Sequence, residues 1–272
     1  MDATHARAAA ARLLAHRHAT ARVGVPQTHA PLPPAGTVLD GALAPATAQD
    51  AYDIQDALTA ELGPVGGWKV GARGEATPTC APIWRSLRHD EVSAPVFAGD
   101  AVDYECEIAY VFARDLPATG TPYAAPDVLA AIGSTHVGME LLTPRFATPA
   151  ANPAESLVML ADGLHCGAYI LGAPVPGYRA VNCATQPVRV DVNGQTVIDH
   201  AGGATVPALV PLLVWLANPL AARGQPIRAG NVVTTGSWMG KRGALEDGTG
   251  AVREVRTRFE GVGELRVRFG TG

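Results

Sequence analysis

Apolar and polar side chains alternate along residues 101–112: Val102, Tyr104, Cys106 and Ile108 fall on one side, Asp103, Glu105 and Glu107 on the other. A period of two predicts a strand with one buried face. Ala51, Ile54, Leu58 and Leu62 recur instead at helical spacing. That predicts a helix opened by Thr47-Ala48-Gln49-Asp50 and ended by Gly63-Pro64-Val65-Gly66-Gly67. Residues 2–20 are Ala-rich, with Leu13 and Leu14 among interleaved Arg and His, and read as another helix that Asp2 or Thr4 can cap. Four prolines between Gly24 and Gly36 predict a loop or extended arm. From Trp68 onward the texture changes to short Val-rich segments separated by Gly and Pro. Strands are expected at 68–71, 104–113, 136–142, 166–172, 186–192, 231–236 and 263–269, with helices around 126–132 and 206–222. Asn193-Gly194 predicts a hairpin between 188–192 and 195–198. Strands that follow one another without regular helices between them disfavour a Rossmann or TIM architecture. The pattern predicts an α+β fold: a rolled β-sandwich unit over residues 66–272, preceded by a helical arm over residues 1–65.

Composition narrows the partners. A chain of 272 residues that is 47% hydrophobic can build one large core. The net charge of −4 and the lack of any Lys/Arg run argue against nucleic acid or an anionic membrane surface. The four cysteines are scattered without a C-x-x-C pair, which suits a reduced cytoplasmic protein better than a disulfide scaffold or zinc site. Met1-Asp2-Ala3-Thr4-His5 has neither a basic nor an apolar signal region, and Val206 to Leu220 is too short and proline-containing to span a bilayer. A soluble, cytoplasmic protein is expected.

Glu105 and Glu107 carry the first candidate chemistry. Acids in line on one strand face repel one another, and a cation between them resolves the conflict. Oxygen donors without His or Cys pairs suit Mg²⁺ or Mn²⁺. A solvated edge strand wearing charge against aggregation is the alternative. Glu140, inside the apolar His136–Leu142 stretch, is costly to bury unless paired or metal-bound; it is either a third oxygen ligand or an acid satisfied by Arg145. The only two lysines, Lys69 and Lys241, both sit in Gly-rich surroundings. Lys69, in Gly66-Gly67-Trp68-Lys69-Val70-Gly71, is placed either to meet an anionic substrate or as a surface turn residue. Asp162 and His165 precede a strand, and His165 is a candidate acid or base or a structural histidine. The turn at Gly236-Ser237 offers backbone N–H groups and a hydroxyl to substrate oxygens, or simply ends a strand. No serine-hydrolase elbow, phosphate loop, dinucleotide fingerprint or zincin motif occurs.

Taken in order, these pieces resemble a known family. They are Ala51-Tyr52-Asp53-Ile54-Gln55, Gly67-Trp68-Lys69-Val70-Gly71, Tyr104-Glu105-Cys106-Glu107-Ile108-Ala109 and Gly138-Met139-Glu140. Later come Asp162, Cys166-Gly167-Ala168-Tyr169, Trp215-Leu216-Ala217-Asn218, the segment from Ala229 to Ser237, and Phe259-Glu260-Gly261-Val262-Gly263. The chain is similar over nearly its whole length to the 2-keto-4-pentenoate (2-hydroxypentadienoic acid) hydratases of the fumarylacetoacetate hydrolase superfamily. The resemblance implies that Glu105, Glu107 and Glu140 hold Mg²⁺ or Mn²⁺, that Lys69 lies beside the substrate, and that Gly236 and Ser237 receive its oxygens. It implies water addition to a small 2-hydroxydienoic acid to give a 4-hydroxy-2-oxo acid in aromatic catabolism, with Lys69, His165 and Asp162 as catalytic candidates, in a homo-oligomer. This chain departs from the family in four places. Ala81-Pro82-Ile83-Trp84 lacks the acid of the usual Pro-Asp-Phe-Gly-like loop. His165 stands where Ser is common, and Thr205-Val206-Pro207 and Trp238-Met239-Gly240-Lys241-Arg242 are atypical. His165 or Lys241 is the expected substitute acid/base. The alternatives are a 2-oxo-3-enedioate decarboxylase, an acylpyruvate-type C–C hydrolase and a non-catalytic relative.

Overall fold

A computed structural model describes residues 1–20, 32–72, 76–91, 97–98, 103–147, 153–240 and 252–270. Val102 and Lys241 lie outside the described residues. Helix α1 spans Ala3–Thr20, α2 Ala35–Val38 and α3 Ala48–Leu62. Thr47 caps α3 as its sequence suggests: Asp50 N–H donates to Thr47 Oγ1 at 3.1 Å and Thr47 N–H to Asp50 Oδ2 at 2.9 Å. Gly63, at φ 92°, ends the helix. The stripe Ala51, Ile54 and Leu58 is fully buried against Ala9 and Leu13 of α1, and against Val158 and Leu160 of a further helix, α5 (Pro153–Ala161). Trp84 and Phe146 complete this cluster. Gln55 ties it together by donating to the carbonyls of Cys80 (3.2 Å) and Leu160 (2.7 Å).

The larger sheet contains β1 (Val65–Gly71), β2 (Thr79–Trp84), β3 (Arg88–Asp90), β5 (Asp103–Phe112), β6 (Ile132–Leu142), β7 (Cys166–Leu171), β8 (Val175–Pro176) and β11 (Val232–Thr234). Its strand order is β2-β1-β11-β5-β6-β7-β3, with β8 beside β6. A single turn at Arg85–Leu87 joins β2 to β3, although these strands lie at opposite ends of that order. Four residue steps reach at most about 14 Å. Six flat strand spacings need about 29 Å. The sheet is therefore rolled until its edges approach.

The second sheet, β10 (Gln195–Ala201), β9 (Pro187–Val192), β12 (Glu254–Phe259), β13 (Gly263–Gly270) and β4 (Phe97–Ala98), follows the order β10-β9-β12-β13-β4. Asn193, at φ 50°, and Gly194, at φ 83°, form the β9–β10 turn. The outer face of the roll supplies Tyr104, Cys106, Ile108, Met139 and Ile170 to the main core. There they meet Val190, Val255, Leu265 and Val267 of the second sheet and Leu213 and Leu216 of α6 (Val210–Ala222). Helix α4 (Ala125–Ala131) packs beside α6.

Several elements differ from expectation. The late helix begins at Val210 rather than 206, and β11 is shorter than 231–236. Residues 81–84 form a paired strand, not a loop, with Ala81 opposite Lys69 and Pro82 opposite Trp68. Strand β5 is flanked by β11 and β6, which excludes the edge-strand explanation of its acids. No helix among the described residues is long and apolar enough to cross a membrane.

Candidate metal centre

The inner face of the roll collects side chains from strands that are neighbours only in space. Glu105 and Glu107 share one face of β5, and pairing sets Glu105 opposite Glu140 and Glu107 opposite Gly138. Lys69 on β1 lies opposite Thr234 on β11, and Tyr169 on β7 opposite Glu140. Glu107 and Glu140 are buried and Glu105 is half-buried; one oxygen from each of the three comes within 4.8 Å of the others. Opposite ligands of an octahedral Mg²⁺ are about 4.2 Å apart. The spread and the all-oxygen donor set therefore fit a hard divalent cation.

The electrostatics point the same way. Ionised, the three acids face one contacting ammonium: Lys69 Nζ donates to Glu140 Oε1 and, at 3.1 Å, to the carbonyl of Leu164. Burial, then the charges of Glu140 and Glu105, pushes the Glu107 carboxyl well above the usual carboxylate range. Burial is the largest influence and opposes the charge on Lys69, but the attractions of Glu140, Cys166 and Glu107 together outweigh it and hold the ammonium above its usual range. A dication would offset the negative charge of Glu140 and Glu105 that helps raise the Glu107 carboxyl.

Two residues that the sequence reading did not single out hold Glu107. Thr234 Oγ1 donates to Glu107 Oε2, and Tyr169 Oη donates to Thr234 Oγ1 at 2.8 Å. Buried hydroxyls on otherwise apolar strands are the signal that points to them, because such groups need partners. Gly138 makes room for the tyrosine. An added Cβ would lie 2.1 Å from Tyr169 Oη and 2.7 Å from Cζ. Gly138→Ala is expected to lose about 1–3 kcal/mol through overpacking. Thermal melting checks this, and an unchanged Tm would show that the ring moves aside freely.

The other expected site residues are placed as follows. Asp162 is fully buried, with its carboxylate held by Arg17 Nε at 2.7 Å and by Arg145 Nε. Arg145 thus serves Asp162, and the ammonium bonded to Glu140 belongs to Lys69, so the suggested Glu140–Arg145 pair is not formed. His165 is half-buried, accepts from Arg145 N–H through Nδ1 at 3.3 Å, and tilts against Phe146 with centroids 5.9 Å apart. Gly236, at φ 91°, and Ser237 turn beside β5, where Trp238 N–H donates to the Cys106 carbonyl at 3.0 Å. Ser237 Oγ donates within its own turn to Gly240 O at 2.9 Å.

Comparison with known proteins adds five findings. The family model described as fumarylacetoacetate (FAA) hydrolase C-terminal matches residues 80–269. The chain is 27% identical over 165 residues to 2-keto-4-pentenoate hydratase of Paraburkholderia xenovorans (strain LB400), a match spanning 61% of this chain and 58% of that protein. It is 26% identical over 241 residues to 4-oxalocrotonate decarboxylase of Pseudomonas putida, spanning 82% of this chain and 86% of the relative. Among solved structures, 4-oxalocrotonate decarboxylase from Pseudomonas putida G7, complexed with calcium and acetate, superposes with a TM-score of 0.73 at 20% identity over 99% of both chains. The same protein with magnesium and adipate gives 0.71 at 20% identity over 97% of both.

Proposed function

The chain belongs to the fumarylacetoacetate hydrolase family, and from that premise we propose a divalent-metal-dependent hydratase that adds water to a 2-hydroxy-2,4-dienoate, giving a 4-hydroxy-2-oxo acid. The observation that carries this reading is the set of three carboxylates closed by Lys69 on the inner face of the roll. Hydratases of such substrates among the relatives support it, including 2-hydroxypent-2,4-dienoate hydratase of Pseudomonas putida, 32% identical over 116 residues. Degradation of aromatic compounds is the proposed setting, in a cytoplasmic homo-oligomer. Residues 1–65 are proposed to act as a helical arm that buttresses the catalytic unit at 66–272. The packing of α1 and α3 on Trp84 and α5 supports that division.

In this reading Glu105, Glu107 and Glu140 hold Mg²⁺ or Mn²⁺. Bound there, the ion supplies Lewis-acid stabilisation of negative charge developing on the 2-oxygen of the substrate. Lys69 Nζ presents positive charge and a proton beside that oxygen. The Gly236–Ser237 turn receives the substrate carboxylate. His165 is the proposed acid/base: the 2-hydroxyl gives up its proton and one proton is delivered to the terminal carbon, so that the dienol becomes the isomeric 2-oxo-3-ene. Water then adds at C4 as a proton goes to C3, a net gain of one water. Thr234 keeps Glu107 aimed. Thr234→Val is expected to weaken Mn²⁺ binding about 10–100-fold, measured by calorimetry; unchanged affinity would remove Thr234 from the site.

A 2-oxo-3-enedioate decarboxylase is the second reading, favoured by the longer alignment with 4-oxalocrotonate decarboxylase. Incubation with Mg²⁺ or Mn²⁺ and either 2-hydroxypenta-2,4-dienoate or 4-oxalocrotonate separates the two readings. Loss of dienoate absorbance with a water adduct and no CO₂ supports the hydratase, and CO₂ release supports the decarboxylase. Turnover of neither overturns both.

A further inference from the structure

Gly163, Leu164 and His165 occupy three successive left-handed conformations, at φ 77°, 54° and 63°. Glycine does so freely, but Leu and His each give up about 1 kcal/mol or more. Such a run persists only where its surroundings over-determine it, and here they do. Asp162, immediately before it, receives Arg17 Nε on Oδ1 and Arg145 Nε on Oδ2. Both guanidiniums also donate to its backbone carbonyl, Arg145 Nη2 at 3.1 Å. Arg145 further holds Thr143 O at 3.1 Å, and Thr143 N–H donates to His165 O at 2.8 Å. Arg17 comes from α1 and lies 4.8 Å over the Trp84 ring. The product of all this fixation is one carbonyl, that of Leu164, turned to within 3.1 Å of Lys69 Nζ.

We propose that the Arg17–Asp162–Arg145 cluster positions Lys69: it locks the left-handed turn so that the Leu164 carbonyl and Glu140 aim the ammonium from two sides. Asp162 is then a positioning residue and not an acid/base, and the first helix is a working part of the site. The proposal rests on the role given to Lys69 above, but its principal test needs no substrate.

The sequence contains two lysines, Lys69 and Lys241, so protein labelled with ¹³C at lysine Cε has two signals to assign. The one lost in Lys69→Met is Lys69. In Arg17→Met, with Mn²⁺ affinity within about threefold of wild type, the Lys69 signal is expected to move towards the position of free lysine. The kcat is expected to fall about 10–100-fold with KM nearly constant, the scale of a misplaced catalytic group. Arg12→Met, on the same helix as Arg17 and removing only an exposed ion pair with Asp40, is expected to leave the signal in place. A lower Tm with an unmoved Lys69 signal in Arg17→Met would overturn the proposal, because that is what a purely structural ion cluster gives. Should Arg17→Met fail to fold, Leu164→Val decides: it keeps the cluster but disfavours the left-handed turn. A shifted Lys69 signal supports the proposal and an unshifted one overturns it. A shifted signal in a protein whose wild type turns over no 2-oxo or 2-hydroxydienoic acid would sink the functional reading while leaving the positioning intact.

Discussion

Glu107→Gln is expected to remove metal-dependent turnover almost completely while leaving a folded protein. Lewis-acid stabilisation of several kcal/mol, taken as about 4, corresponds to about a thousandfold in rate. The amide keeps the shape of the side chain but not the charge that would hold the ion. Full activity in this variant would end the metal assignment. Stability provides a second, independent readout. The folded, metal-free protein raises the Glu107 pKa by burial and by the charges of Glu140 and Glu105, whereas the unfolded chain ionises such a group near pH 4.3. A raised folded pKa contributes stability that is complete below the unfolded value and is lost as pH rises towards the folded value. Apo wild type is therefore expected to lose Tm as pH rises from the ordinary carboxylate range. Gln at 107, or added Mn²⁺, should reduce that slope. An identical slope in apo Glu107→Gln would assign the loss to other groups.

The acids on β5 were legible because alternation is local: each face of the strand can be read from twelve consecutive residues. What closed the site was not local. The Glu105–Glu140 register depends on where two strands meet. Thr234 lies 127 residues from the Glu107 it holds, and Arg17 lies 145 from Asp162. Proximity in sequence misled at Arg145, which leaves the end of β6 and turns to Asp162 rather than back to Glu140. Strand β2 was missed because Pro82 argues against a strand, yet it lies at the end of the strand order, where a missing N–H is tolerated. Helix α5 begins at Pro153 and is largely apolar, so its helical period was hidden. Strand β12, Glu254–Phe259, alternates cleanly and was readable, but went unread.

Lys69→Met should separate metal binding from chemistry. General acid–base assistance is typically worth 10²–10⁴-fold, so kcat is expected to fall by about that factor. Mn²⁺ binding is expected to move the other way. The ammonium and a dication would both draw on the charge of Glu140, and like charges drawn to one carboxylate repel each other. Taking away the ammonium removes that repulsion. It also leaves Glu140 buried without its cation, a cost to the metal-free variant that metal binding would relieve. Tighter Mn²⁺ binding with turnover lost is the expected pair of results, from calorimetry and steady-state kinetics. Lys69→Arg should not restore activity, because a guanidinium keeps its proton and cannot place a single donor point between Glu140 and the Leu164 carbonyl. Retained turnover in Lys69→Met, with affinity unchanged, would reduce Lys69 to a counter-ion and leave the chemistry to the remaining groups of the site.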